Sequence, residues 1–315
     1  LIFFSRPAQR GALAVDSIYV RSCSPWCMLE GPLARPRIQL VVTDLDNTLY
    51  DWVEWFCRGL TRMSTSAAAI LGIEHETFLE ELRAAHVSRG TVEDADAMFD
   101  LPSVRAAFDT RQAAAEALAV PLRHRRDAQQ ARPRMYPGVV ATLRTLRQAG
   151  VKVVAHTEAP ARAALDRLAR LGLDAELDAL YARVMTPGLS AADRPPLRQI
   201  DPEHRKPEPA AVLEICEAEG VEPAATVYVG DNLARDVWMA REAGAIAVWA
   251  QYGATHDETA WGDLKRVSHW RQGDVERFER HEIDVLRAAA FATLRESFAE
   301  LLEHFELGSA VSARA

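Results

Sequence analysis

Apolar residues in this chain fall into two kinds of run, and their spacing tells them apart. Short continuous runs at Ile38 to Val42, Val151 to Ala155, Tyr181 to Met185, Thr226 to Val229 and Ala245 to Trp249 have the length and composition of strands buried on both faces. Others recur every three or four residues. Val53, Phe56, Cys57, Leu60, Met63, Ala67, Ile70 and Leu71 form one such stripe, Phe78, Leu79 and Leu82 continue it, and Val104, Ala107, Phe108 and Leu118 form another. That period predicts amphipathic helices. Thr91 with Asp94 three residues on has the spacing of a capping box with a short acid. From Val139 the order becomes helix, strand, helix, strand, with helices expected over Val139 to Gln148 and Ala159 to Leu171. Strands alternating with helices imply an α/β core, a parallel sheet with right-handed crossovers and helices on both faces. The all-helical stretch interrupts this alternation after the first strand. It returns at Tyr136-Pro137-Gly138, where proline and glycine favour a hinge-like turn.

Other segments are less regular. Pro187 to Pro202 is predicted to be a long loop. Between Asp274 and Leu307 an apolar stripe of Val275, Phe278, Leu286, Leu294, Phe298, Leu301, Leu302 and Phe305 predicts one long amphipathic helix or two shorter ones. Residues 1–37 begin with the apolar Leu1 to Phe4 and then carry arginine, serine and scattered proline. No long apolar segment follows, so this is not the pattern of a secretory signal. The residues before Met28 read as upstream translation or an unstructured arm, and an acid-poor, arginine-bearing leader is also the composition of an organelle transit peptide. The division expected is an N-terminal arm over 1–37, an α/β core over 38–50 and 136–260, a helical cap over 51–135 and a C-terminal helical extension over 261–315.

Composition narrows the class. At 315 residues and 49% hydrophobic the chain can bury one large core and a smaller unit, and it contains no run near the ~20 apolar residues of a membrane span. A formal charge of −8 argues against a nucleic-acid partner, whose phosphates are met by basic surfaces. The basic run Arg123 to Arg126 reads as a solvated helix face or a contact for an acidic substrate. Cys23, Cys27, Cys57 and Cys216 show no disulfide framework and no zinc-ligand spacing. They read as free thiols of a reducing, cytoplasmic compartment.

The chemistry lies where strands end. Asp44-Leu45-Asp46-Asn47-Thr48 closes the first strand with two carboxylates and a hydroxyl that can turn into one crevice at the sheet's carboxyl edge. One carboxylate there can attack an electrophile while its neighbour shuttles protons. Thr157 follows the second strand as a hydroxyl donor. Lys206-Pro207-Glu208-Pro209 sets an ammonium ahead of a helix begun by proline, and Gly230-Asp231-Asn232, with Asp236 five residues after Asp231, offers a tight turn and acids suited to a hard cation. Each motif alone is also good turn sequence, and an acid such as Asp236 in a first helical turn is favoured by the dipole without any metal.

Taken in order, Asp-x-Asp-x-Thr, a strand-end Thr, Lys-Pro-x-Pro and Gly-Asp-Asn-x-x-x-Asp resemble the haloacid dehalogenase superfamily of hydrolases, in particular its phosphatases. The resemblance covers roughly Ile38 to Gly253. It implies a Rossmann-like parallel sheet with a mobile α-helical cap inserted after the first motif. By it Asp44 is the nucleophile, Asp46 the general acid and base, and Thr157 and Lys206 the phosphate-binding pair. Asp44, Asp231, Asp236 and the backbone carbonyl of Asp46 would hold Mg2+. The expected function is Mg2+-dependent hydrolysis of a small phosphate monoester through an aspartyl phosphate. A sugar phosphomutase on the same fold, or a non-catalytic metal-binding regulatory protein, are the alternatives. A dehalogenase would not be expected to keep Asp46 and the Gly-Asp-Asn motif. Glu158 departs from the asparagine common after the strand-end threonine, and His156 belongs to no family motif and reads as a packed histidine. The partners implied are a small phosphorylated metabolite and, at most, a second copy of the chain, with no nucleic acid and no membrane.

Overall fold

Alternation along β1 (Leu40–Thr43) organises the core. Val41 points into one apolar cluster with Val153, Val227, Leu143 and Leu165, while Leu40 and Val42 point into another with Val154, Tyr228, Val212 and Met239. All four residues of the strand are buried, so this run can exist only at the centre of a sheet covered on both faces. The computed structural model describes residues 35–183, 188–189, 194–270, 287 and 289–307. Residues 1–34 of the expected N-terminal arm, with Cys23 and Cys27, and Met185 and residues 274–286 of the C-terminal stripe lie outside them.

After β1 come β2 (Tyr50–Asp51), α1 (Trp52–Leu71), α2 (His75–Arg89), α3 (Pro102–Ala107), α4 (Arg111–Ala117), α5 (Ala119–Gln130) and β3 (Arg134–Met135). The core resumes with α6 (Val139–Gln148), β4 (Lys152–Thr157), α7 (Ala161–Leu171), β5 (Ala179–Ala182), β6 (Leu197–Gln199), α8 (Ala210–Glu219), β7 (Thr226–Gly230), α9 (Trp238–Glu242), β8 (Ile246–Ala250), α10 (Glu258–Val267) and β9 (Ala292–Leu294). Seven strands form one parallel sheet in the order β6-β5-β4-β1-β7-β8-β9. The fold is therefore the Rossmann-like α/β arrangement expected, with a helical cap. Thr43 pairs with Ala155 of β4 and Val229 of β7, so the central strands finish nearly level and deliver their following residues to one edge.

The cap leaves and returns through a two-stranded ribbon, Tyr50 opposite Met135 and Asp51 opposite Arg134. Asp51 also caps α1, accepting from the Glu54 N–H at 3.0 Å, and accepts from Arg134 at 2.8 Å. Residues 52–130 contribute helices and no strand to either sheet. Of the basic run, Arg123 and Arg126 are exposed, as a solvated helix face requires, whereas Arg125 is buried and donates to the Val92 carbonyl at 3.3 Å.

Three local expectations are corrected. The loop expected over Pro187 to Pro202 contains the edge strand β6; with Leu197 buried and Arg198 and Gln199 exposed, it is too short to show a period. In the C-terminal stripe, Ala292–Leu294 is a strand beside β8 rather than part of a helix, because Ala292 and Leu294 alternate into the core, and Phe298–Glu303 is a 3-10 turn that spends its three-residue spacing on Phe298 and Leu301. Thr91 and Asp94 form no capping box. Thr91 accepts from the Glu93 N–H at 3.1 Å, and Asp94 itself caps the next turn, accepting from the Asp96 N–H at 2.9 Å. The chain just after residue 257 also packs onto the cap: the Cys57 thiol meets the Ala260 carbonyl at 3.1 Å and His86 Nδ1 the Val267 carbonyl at 2.7 Å. No helix among the described residues is long and apolar enough to cross a membrane.

Candidate active site

Asp44 leaves the central strand with its N–H still bonded to the Val229 carbonyl at 2.8 Å, so its carboxylate is fixed at the sheet edge. The chain then reverses. Asn47 takes a left-handed conformation at φ 61°, donates its N–H to the Tyr50 carbonyl at 2.8 Å, and accepts through its side chain from the N–H groups of Trp52 and Val53. Thr48 is fully buried beneath this turn. Its hydroxyl accepts from the Asp231 N–H at 3.1 Å and lies 3.4 Å from Asp44 Oδ2, tying the first motif to the last.

Two glycines let the backbones close in. A Cβ on Gly253 would stand 1.7 Å from the Asn47 carbonyl oxygen, and one on Gly230 would stand 2.4 Å from Asp236 Cβ. Any side chain at either place would push the loops apart. Past Gly230, Asn232 accepts from the N–H groups of Ala234 and Arg235, and its own N–H donates to Asp236 Oδ2 at 3.1 Å. This wide helical turn aims Asp236 back at the crevice.

Lys206 joins these acids. Its buried ammonium donates to Asp44 Oδ1, is ion-paired with Asp236 Oδ1 at 2.9 Å, and sits 5.5 Å from the centre of the Tyr228 ring. Burial alone would strip its proton, but Asp236 and Asp44 hold the lysine well above its ordinary range. Burial also pushes Asp44 up to about 7, against the pull of Lys206, and together with Asp236 and Asp44 it holds Asp231 well above the usual carboxylate range. Oxygen atoms of Asp44, Asp231 and Asp236 lie within 4.8 Å of one another. Three carboxylates, Asp236 buried and Asp44 and Asp231 partly so, stand beside one ammonium and are short of positive charge, and an all-oxygen donor set suits a hard divalent cation. The residues fit a metal.

Thr157 is buried beside the same edge and accepts from the Ala159 N–H at 3.0 Å, leaving its hydroxyl proton for another acceptor. Glu158 bridges loops: it accepts from the Lys206 N–H at 3.2 Å and from Arg183 at 3.1 Å. Here glutamate anchors the lysine-bearing turn. His156 is fully buried with Nδ1 3.0 Å from the Tyr228 hydroxyl, as a packed histidine should be, and burial beside Lys206 lowers its basicity well below the ordinary value.

Asp46 meets a different partner. Its Oδ2 is 3.3 Å from the guanidinium of Arg167, a residue of α7 that is 2% exposed, and the same guanidinium donates to the Tyr50 hydroxyl at 3.0 Å and to Glu93 at 2.6 Å. Glu93 comes from the cap and also accepts from the Trp52 indole N–H at 2.6 Å. Burial raises Asp46 above its ordinary pKa, Arg167 opposing it. Burial would also lower Arg167, yet Asp46 and Glu93 overcome it and keep the guanidinium charged. Sequence reasoning missed Arg167, Glu93 and Tyr50. One signal was present: Arg167 stands three residues after Ala164 and four before Leu171, on the buried face of an otherwise apolar stripe.

The model of the haloacid dehalogenase-like hydrolases matches residues 38–244. Over 260 residues the chain is 27% identical to glyceraldehyde 3-phosphate phosphatase of Methanopyrus kandleri, covering 80% of this chain and 99% of that one. It is 28% identical over 235 residues to phosphoglycolate phosphatase of Pseudomonas putida, covering 71% and 73% of the two chains. Among solved structures, a HAD phosphatase from Thermococcus onnurineus superposes with a TM-score of 0.53 at 22% identity, over 86% of this chain and 100% of that one, a likeness of fold.

Proposed function

Because the chain belongs to the haloacid dehalogenase-like hydrolases, we propose that its crevice hydrolyses a small phosphate monoester with the help of Mg2+. The observation that carries this reading is the convergence at one edge: Lys206 is ion-paired with both Asp44 and Asp236, and Thr48 joins Asp44 to Asp231. The relatives named for glyceraldehyde 3-phosphate and phosphoglycolate support a small phosphorylated substrate.

In the proposed reaction an Asp44 oxygen attacks phosphorus in line, the bond to the leaving oxygen breaks, and Asp46 gives its proton to the departing alkoxide. Asp46 then takes a proton from the water that attacks the aspartyl phosphate, releasing inorganic phosphate and restoring Asp44. Lys206 and the Thr157 hydroxyl face the charge on the equatorial oxygens, where fixed donors contribute most to phosphoryl transfer. Mg2+, held by Asp44, Asp231, Asp236 and the Asp46 carbonyl, would supply the positive charge that lets a carboxylate meet a phosphate dianion. Cap residues over the crevice would exclude bulk water. The buried thiols of Cys57 and Cys216 support a reducing, cytoplasmic setting.

The test is a panel of phosphorylated sugars, short-chain acids, nucleotides and cofactors offered to the purified protein with and without Mg2+. Release of inorganic phosphate is expected. Isomer formation without phosphate release would assign a mutase instead, and no turnover of any compound would defeat the enzyme reading.

A further inference from the structure

The most heavily buried charge in the described molecule outside the Asp44 cluster is the Arg167 guanidinium, and each of its nitrogens is engaged. Nε donates to the Tyr50 hydroxyl, Nη1 to Glu93 and Nη2 to Asp46 Oδ2. The guanidinium carbon lies 5.6 Å from the Trp55 ring centre and 5.9 Å from that of Tyr50, so aromatic side chains close the remaining sides. The Asp46 carboxylate is thereby divided: Oδ2 is held by Arg167, whereas Oδ1 is buried without a hydrogen-bond partner. A buried carboxylate oxygen left unpaired is costly unless something else completes it. The three elements meeting here are the first-motif loop, helix α7 of the core and the loop of the cap that carries Glu93.

We propose that Arg167 is a positioning residue for proton transfer: it grips one oxygen of Asp46 so that the other faces the leaving group, and Glu93 fixes the grip from the cap. The inference rests on the phosphatase reading above and assigns a residue to it from outside the four motifs. Arginine suits the task because its planar fork reaches three acceptors in fixed directions, which the single ammonium of lysine cannot do.

The consequence is a dependence on the leaving group. An alkoxide needs a proton as the bond to phosphorus breaks, whereas p-nitrophenolate leaves without one. The experiment therefore compares kcat/KM, which reports the first phosphoryl transfer, for the best alkyl phosphate of the panel and for p-nitrophenyl phosphate in wild type, Arg167→Met, Arg167→Lys and Glu93→Gln. Misplacing a catalytic group by about 1 Å costs on the order of 10²-fold. Arg167→Met is expected to lower alkyl phosphate kcat/KM by about that factor and p-nitrophenyl phosphate by less than about 10-fold, with Arg167→Lys and Glu93→Gln shifting the ratio in the same direction by smaller amounts. Inhibition by inorganic phosphate should hold within about twofold, since Lys206 and Thr157 are untouched. If Arg167→Met does not fold, Arg167→Lys carries the comparison. A parallel fall for both substrates, as lost fold or lost active molecules would give, overturns the proposal, and so does an unchanged alkyl rate. Wild-type protein inert toward both substrates would instead bring down the phosphatase reading itself.

Discussion

Two buried charge clusters flank the same loop, and they are balanced differently. Around Asp44, three carboxylates share one lysine, and burial pushes Asp44 to about 7 and Asp231 well above the carboxylate range. Around Asp46, two carboxylates share an arginine that reaches both, and the guanidinium stays firmly charged. The first cluster is incomplete within the protein and calls for an added cation. The second is charge-balanced more nearly within itself and leaves one oxygen of each carboxylate, Asp46 Oδ1 and Glu93 Oε2, without a hydrogen-bond partner. One is built to receive something, the other to hold something still.

The largest effect should come from removing Asp44, the nucleophile proposed for the first cluster. Asp44→Asn is expected to lose turnover to background, since an amide is a poor nucleophile; rates near wild type, with deamidation excluded by mass spectrometry, would refute the assignment. Asp46→Asn should be milder, slowing turnover by roughly 10²–10⁴-fold while leaving Mg2+ binding in place, because only the proton donor is lost. Equal losses in the two variants, in metal binding as well as rate, would erase the distinction between the clusters.

Stability should separate them next. Asp44 binds its proton more tightly in the metal-free fold, at about 7, than in the unfolded chain, at 3.8. Its contribution is therefore complete below about 4 and lost as pH rises through about 7. Urea unfolding of metal-free protein should weaken between pH 5 and 8 by on the order of a few kcal/mol, and Asp44→Asn should flatten that slope. A metal-free protein that gains stability over this window through Asp44 would contradict the burial argument. Smaller still is the effect of the ion: above pH 7, Mg2+ at a hundred times its Kd should stabilise by about 2.7 kcal/mol in calorimetry. Asp231→Asn should reduce that gain and Arg167→Lys should not.

The sequence was legible where chemistry is local and repeated. Runs such as Val151 to Ala155 and Thr226 to Val229 predict strands because burial on both faces demands continuous apolar residues, and the strand-end motifs follow from them. The members of the Asp44 cluster were each visible at such strand ends, their joint role came from the resemblance that the ordered motifs carry, and they meet in the fold. The Asp46 cluster was not, because Tyr50, Glu93 and Arg167 come from a two-residue ribbon, a cap loop and a helix whose proximity only the tertiary fold creates. An arginine on a helix's apolar face announces that something buried needs it but not what. The short edge strands β6 and β9 stayed hidden for a different reason: three residues are too few to distinguish a period of two from one of three or four.

The Thr48 hydroxyl bonds a residue 183 positions further on, and Lys206 reaches back 162 positions to Asp44. Synthesis runs from the N-terminus, and domains form as whole units. A growing chain exposes its two leading aspartates long before the lysine, the second pair of acids and the glycines that admit them. Through that interval it holds carboxylates in water and no catalyst. The proposed activity should thus switch on in a single step once Gly253 has been added, and a chain cut short before Gly253 would forfeit all of it.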